Sequence, residues 1–180
     1  MNLDIARVVR YFSHKLAFRL GRVVSEESPQ RITSGRYIYS ALIVNGSKEI
    51  RVVAYTRTNE FHNIETEDQE INRKPGRGYV ILGVEKIEIK PLTFETFMSS
   101  VDLLVVFLTP SMGLWDVPNY TIGEAIARSV YDCFDPPVYF ASITEEPVQS
   151  QASDWNYQVY RVSLDLGVEN VYPSKGRVYP

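Results

Sequence analysis

The stretch SVDLLVVFLTPS, residues 100–111, contains six consecutive apolar residues, Leu103 to Leu108, between an aspartate and a Thr-Pro pair. Neither a period of two nor a period of 3.6 separates a polar from an apolar side in this run. An apolar run of this length, bounded by turn signals, is typical of a strand that is covered on both faces. We therefore predict a central strand here, with the rest of the fold built around it.

The composition is that of an ordinary globular chain. It has 180 residues, of which 44% are hydrophobic and 23% charged, and a net charge of −3. One cysteine excludes an intramolecular disulfide, and two histidines argue against a Cys/His zinc site. The net charge gives no general attraction to nucleic acid, and no segment reaches the ~18 apolar residues of a membrane span. We therefore expect one domain with no metal, no cofactor and no membrane partner.

The patterns on either side of the central strand predict an α+β fold, in which two helices pack on a largely antiparallel mixed sheet. The predicted elements, in chain order, are a helix over 3–23, strands over 36–44, 48–57, 78–92 and 100–111, a helix over 121–134, and strands over 138–146 and 155–168. Asn45-Gly46 predicts a hairpin turn, because these residues adopt positive φ angles readily. Thr121 and Glu124 have the spacing of a capping box at the start of the second helix.

Residues 1–168 are predicted to form this single domain. Residues 58–78 are a long connection that is acidic first and basic later. A connection of this length in a compact domain is unusual and is often functional or flexible. The tail, 169–180, repeats Val-Tyr-Pro, and its prolines confine it to a sheet edge or to an extended C-terminal arm.

No familiar catalytic motif is present, and we expect no catalytic residue and no enzyme. The alternative is a metal-dependent nuclease of the PD-(D/E)xK type, because Glu88-Ile89-Lys90 fits its Glu-x-Lys motif. In that chemistry the carboxylate holds Mg²⁺ and the lysine steadies the attacking water. The preceding strand offers only Glu49, at its start, as the further acid that such a site needs. Alternating Glu and Lys is also typical of the solvated face of a strand.

The first helix is amphipathic. Besides its apolar stripe, it has another face on which basic and aromatic residues recur at spacings of three and four. Its members are Arg7, Tyr11, Lys15, Phe18 and Arg22. Three interpretations remain open: a solvated face, an interface with another protein, and a surface for nucleic-acid phosphates and bases. Exposed aromatics among arginines favour contact surfaces.

Tyrosine is frequent, with twelve in the chain, and several lie in predicted loops and at strand ends. This distribution favours an interface, because tyrosine combines a large apolar area with a polar tip. The residues predicted to contact partners are Arg7, Tyr11, Lys15, Phe18, Arg22, Arg73, Lys74, Arg77, Tyr172 and Tyr179.

The order of elements resembles that of the tail terminator proteins, the tail-completion or neck proteins of long-tailed bacteriophages. Four features carry the resemblance. The first two are an N-terminal amphipathic helix and an apolar strand that ends in Phe-Leu-x-Pro at Phe107 to Pro110. The others are a helix over 121–134 and two final strands, the second of which alternates apolar and polar residues over 155–166. The resemblance is one of element order and hydrophobic pattern.

The resemblance implies a structural protein of the virion, assembled in the host cytoplasm, whose copies form a hexameric ring. Such a ring caps the finished tail tube and joins it to the head. The implied partners are further copies of the chain, the tail tube protein, a neck or connector protein and, in contractile tails, the sheath. DNA would meet the ring only as the passing genome. Another phage neck or baseplate component and a non-viral ring-forming adaptor are the alternatives within this class.

Overall fold

A computed structural model describes residues 5–27, 37–46, 48–60, 77–110, 119–133, 139–146 and 155–170. Within these ranges, two helices pack against one face of a seven-stranded mixed sheet. This arrangement confirms the predicted α+β class.

The elements, in chain order, are α1 (Ile5–Leu20), β1 (Arg22–Glu26), β2 (Tyr39–Asn45), β3 (Lys48–Arg57), a short 3₁₀ turn (Thr58–Glu60), β4 (Gly78–Pro91), β5 (Thr96–Pro110), α2 (Asn119–Cys133), β6 (Tyr139–Glu146) and β7 (Trp155–Asn170). The strands lie in the order β1-β2-β3-β4-β5-β7-β6. Neighbouring strands are antiparallel except β3 and β4, which are parallel. The parallel pair explains the long connection between them, because parallel strands can be joined only by a crossover.

The central strand is β5, which pairs with β4 on one side and β7 on the other. Its odd-numbered residues Val101, Leu103, Val105 and Phe107 are buried beneath the helices, and its even-numbered residues Asp102, Leu104, Val106 and Leu108 are half-buried on the opposite face. The apolar run is therefore continuous because both faces of β5 are covered, although unequally.

The core lies between the sheet and the helices. Phe12 and Leu16 of α1 are spaced by one helical turn and are almost completely buried, and so are Ile122, Ile126 and Val130 of α2. Burial of each such side chain contributes about 1.5–3 kcal/mol to folding. The spacing of these positions by about one turn places each set on one face of its helix.

The β2–β3 hairpin is confirmed, with Asn45 opposite Lys48 and Gly46 at a φ of 64°. Two details at the helices differ from the prediction. Residues Arg22–Glu26 form strand β1, although the sequence pattern predicts a helix to residue 23 and no strand before residue 36. Helix α2 begins at Asn119, so Thr121 lies inside the helix and is not its cap.

The boundary of the predicted C-terminal arm also differs, because β7 continues to Asn170, which pairs with Thr96. The remainder of the arm, residues 171–180, lies outside the described residues. So does most of the long connection, residues 61–76.

Candidate functional site

Two aromatic side chains project from the outer face of α1. Phe18 is 72% exposed and Tyr11 is 47% exposed, and their separation of seven positions, about two helical turns, places both on one side of the helix. The ammonium group of Lys15 lies 5.4 Å from the centre of the Tyr11 ring, within the range of a cation–π contact. The structure therefore brings together three of the residues predicted to contact partners: Tyr11, Lys15 and Phe18.

A groove of about 580 Å³ lies between α1 and α2 beside this aromatic face. Phe18 and Ala125 supply apolar lining, and Lys15, Arg19, Arg128, Glu124 and Asp132 supply charged lining. The volume lies within the range of about 300–1,000 Å³ that is usual for pockets that hold small ligands. We call this feature the α1/α2 groove.

Ion pairs fix most of the charges of the α1/α2 groove. The Arg19 guanidinium donates to the Asp132 carboxylate, with 2.7 Å between Nε and Oδ2, and this pair joins the two helices. Arg128 pairs with Glu124 one turn away, at 2.7 Å. Among the residues that the structure describes, no carboxylate lies within ion-pairing distance of Lys15. The lining therefore carries one positive charge more than its carboxylates balance.

A second exposed apolar feature lies at the far end of the sheet, where β4 and β5 form a hairpin. The pairing of β3 with β4 ends with Arg57 opposite Val84, whereas β4 continues to Pro91. At about 3.3 Å per residue, the hairpin extends about 20 Å beyond the end of β3. It is supported on its other side by β7, which pairs with β5 as far as Thr96.

The end of this hairpin is strongly apolar. Phe94 is 99% exposed, and Leu92 and Ile89 are each more than half exposed. We call residues 92–95 the hairpin tip. None of these three apolar side chains was among the residues predicted to contact partners.

The turn at the hairpin tip is held by the side chain of Thr93. Its Oγ1 accepts hydrogen bonds from the backbone N–H groups of Glu95 and Thr96, at 3.2 and 3.0 Å, and lies 2.7 Å from Thr96 Oγ1. The N–H groups of Leu92 and Thr93 both donate to the Thr96 carbonyl. Phe94 is therefore presented on an ordered turn, whose backbone has little entropy left to lose on binding.

The side of the hairpin carries the Glu-x-Lys motif. Glu88 lies between Lys86 and Lys90, and its carboxylate is 3.2 and 3.1 Å from their ammonium groups. The hydrogen bonds from Lys90 and Lys86 lower the pKa of Glu88. This is the arrangement of a solvated strand face.

The geometry does not assemble the nuclease site that the motif suggested. Ile50 pairs with Gly78, so Glu49 lies beside the start of β4, whereas Glu88 lies ten residues further along that strand. Ten strand residues span about 30 Å, and two carboxylates that far apart cannot share a metal ion. In the part of the chain that the structure describes, no three His, Cys, Asp or Glu side chains are grouped closely enough to hold one.

The structure places the other predicted contact residues as follows. Arg22 is exposed, but it lies on β1 and not on the helix. Arg7 belongs to α1, but its side chain is not described. Arg73, Lys74, Tyr172 and Tyr179 lie outside the described residues.

Arg77 is a correction to the predicted set. It is only 5% exposed, and its guanidinium donates to the Glu49 carboxylate at 3.0 and 3.3 Å. A buried arginine that is paired in this way satisfies its charge inside the fold. Arg77 therefore does not belong to an exposed contact surface of the chain.

One signal could have revealed the hairpin tip. The sequence Pro-Leu-Thr-Phe-Glu-Thr, residues 91–96, places an aromatic residue in a short connection between two long strands, next to a threonine that can form a side-chain turn. Exposure was the missing information, because the sequence pattern predicts a strand only as far as residue 92 and does not indicate whether Phe94 is exposed.

No helix among the described residues is long and apolar enough to cross a bilayer. No protein-family model matches the chain, and no curated protein sequence matches it.

Proposed function

We propose that this chain is a non-enzymatic structural protein of a phage virion, whose copies form a ring that caps the tail tube and joins it to the neck. The observation that carries the proposal is Phe94, which is 99% exposed at the end of an ordered hairpin. The element order described above, which resembles that of tail terminator proteins, supplies the identity of the assembly.

Physical reasoning supports a contact role for the hairpin tip. Three apolar side chains, Ile89, Leu92 and Phe94, lie within six residues of one another in the hairpin and are mostly exposed. Exposed apolar surface of this kind marks interaction sites in soluble proteins, and aromatic residues are enriched at interface cores. Burying a phenylalanine against a partner removes about 150–250 Å² of its surface from water.

The aromatic face of α1 supports an assembly with more than one contact. Tyr11 and Phe18 are exposed on the helical layer, whereas the hairpin tip extends from the sheet. A subunit in a ring needs one surface for each neighbour and another for the tube or neck that the ring joins. In the proposal, the ring has six copies, so each copy contacts two neighbours, and the other partners are the tail tube protein, a neck or connector protein and, in contractile tails, the sheath.

The test is electron microscopy of the purified chain incubated with tail tubes formed by the tube protein encoded beside it. We expect a ring at one end of each tube and no further growth of capped tubes. The variant Phe94→Ser should leave the tube ends bare while its circular dichroism matches the wild type, because the side chain is exposed. Val24→Ser is the matched control, since Val24 is also exposed but lies on β1.

Bare tube ends and uninterrupted tube growth with the wild-type chain would contradict the proposal. Mg²⁺-dependent cleavage of DNA that is lost in Glu88→Ala would favour the nuclease alternative instead.

A further inference from the structure

We propose that the hairpin tip of one copy of the chain docks into the α1/α2 groove of the next copy, with Phe94 as the anchor. This inference rests on the proposed self-assembly and names the two surfaces that meet within it.

The two surfaces lie at opposite ends of the molecule. The side-chain amide of Asn45 donates to the carbonyl of Leu20 at 3.1 Å, so α1 ends beside the β2–β3 turn. Ile50 pairs with Gly78, so this turn lies at the same end of the sheet as the start of β4. The hairpin tip follows the other end of β4, about 40 Å away at the rise of a strand. A chain therefore cannot place Phe94 in its own groove.

The occupant fits the groove in size and chemistry. The groove holds about 580 Å³, and its wall includes Phe18, which is 72% exposed in the free chain. Insertion of Phe94 would cover both phenylalanines at once, and two aromatic rings at such a contact favour offset or edge-to-face packing. Leu92, on the same turn, adds apolar surface beside the anchor.

The charges are complementary as well. Glu95 follows Phe94 and is the one charged residue of the hairpin tip. In the groove, Arg19 and Arg128 are paired with carboxylates, and Lys15 supplies the positive charge that the lining carboxylates leave unbalanced. A docked tip would bring the Glu95 carboxylate to the Lys15 ammonium. Such an ion pair contributes more to the orientation of the contact than to its affinity.

Because tip and groove are different surfaces, the contact is heterologous. Each copy offers a tip to one neighbour and a groove to the other, so repetition of the contact gives a ring when the rotation closes and a filament when it does not. The tip would act as the anchor of a larger interface, because three side chains alone bury less than the ~800 Å² per partner of a stable contact.

The test uses two variants that each damage one surface, Phe94→Asp in the tip and Phe18→Asp in the groove. Both residues are exposed, so both variants should keep the wild-type circular dichroism spectrum. By native mass spectrometry we expect each variant alone to be monomeric. An equimolar mixture should give a 1:1 heterodimer and nothing larger, because the intact tip of one variant meets the intact groove of the other. Val24→Asp is the control and should assemble like the wild type.

A second pair of variants tests the orientation. Lys15→Glu and Glu95→Lys should each weaken self-association about fivefold, the effect of losing one exposed ion pair. The two changes combined in one chain should restore it. Additive weakening in the combined variant would remove this ion pair from the contact.

The results separate this inference from the proposed function. If the wild type forms rings and Phe18→Asp still assembles, the groove takes another occupant and the inference is wrong while the ring stands. The same holds if both variants are monomeric but their mixture forms no dimer. If the wild type neither self-associates nor caps tubes, the proposed function itself fails.

Discussion

Neighbouring residues of β5 differ in what surrounds them. Leu103 is 1% exposed beneath the helices, whereas Leu104 is half-buried on the other face of the sheet. We expect Leu103→Ala to lower the free energy of unfolding by about 2–5 kcal/mol, because it leaves a cavity in the core. Leu104→Ala removes less buried surface and should cost about 1 kcal/mol. Urea unfolding followed by circular dichroism measures both, and equal losses would show that the two faces are equally covered.

A second residue-scale prediction concerns pH. Arg161 on β7 donates two hydrogen bonds, of 2.6 and 2.8 Å, to the carboxylate of Glu85 on β4. The hydrogen bonding from Arg161 is the main reason that the pKa of Glu85 is lowered. A carboxyl group with a lowered pKa stabilises the fold fully above its unfolded-state pKa, and this contribution is lost as the pH falls through the folded-state pKa.

We expect a double-mutant cycle with Glu85→Gln and Arg161→Gln to give a coupling of about 0.5–1 kcal/mol at neutral pH. Below both pKa values of Glu85 the coupling should approach zero, since the protonated carboxyl carries no charge. Chemical unfolding of the four proteins at each pH provides the measurement. A coupling that is unchanged in acid would mean that the ion pair contributes nothing through its charge.

At the scale of elements, Gly21 allows β1 to pair directly after α1. A Cβ atom at this position would lie 2.8 Å from the carbonyl oxygen of Val44, whereas one at Gly123 in α2 would meet nothing within 4 Å. We expect Gly21→Ala to lower the free energy of unfolding by about 1–3 kcal/mol, because the backbone at residue 21 must move away from the backbone of Val44. Gly123→Ala should raise it by about 0.5–1 kcal/mol through helix propensity. Thermal unfolding of both variants tests this, and two changes of the same sign would contradict the close packing at Gly21.

The elements with a strong pattern were predictable from the sequence. Asn45-Gly46 located the β2–β3 hairpin, and the apolar run over 103–108 located β5, because each pattern has one clear structural explanation. Strand β1 was missed because its five residues are mostly exposed and do not alternate between buried and exposed. In addition, Val23 continues the helical spacing of the apolar residues in α1. The start of α2 was displaced because Thr121 and Glu124 match a capping box by residue type alone.

The candidate site was predictable in part. The spacing of Tyr11, Lys15 and Phe18 placed them on one helical face, which depends only on helix geometry. Arg77 was assigned wrongly, because a sequence does not reveal its pairing with Glu49. Phe94 was missed because its exposure depends on where β3 ends beside β4, which is a property of the sheet and not of the local sequence.

At the scale of the whole molecule, the apolar hairpin tip lies at one end of the sheet. The α1/α2 groove, with the exposed Phe18, lies toward the opposite end, near the C-terminal end of α1. Such a molecule leaves apolar surface uncovered as a monomer and can cover it by repeating one contact. In the proposed ring every tip would occupy a groove, and capping a tube would require binding alone and no chemical step.

The most direct test of the ring is native mass spectrometry of the wild-type chain over a series of concentrations, alone and with tail tubes. The ring model predicts one discrete species of six chain masses, with few intermediates, because only the closed ring leaves no free tip or groove. The chain should remain a monomer when Phe94 is replaced by Asp. A wild-type chain that stays monomeric under all these conditions, or that forms an open-ended series of oligomers, would contradict the ring.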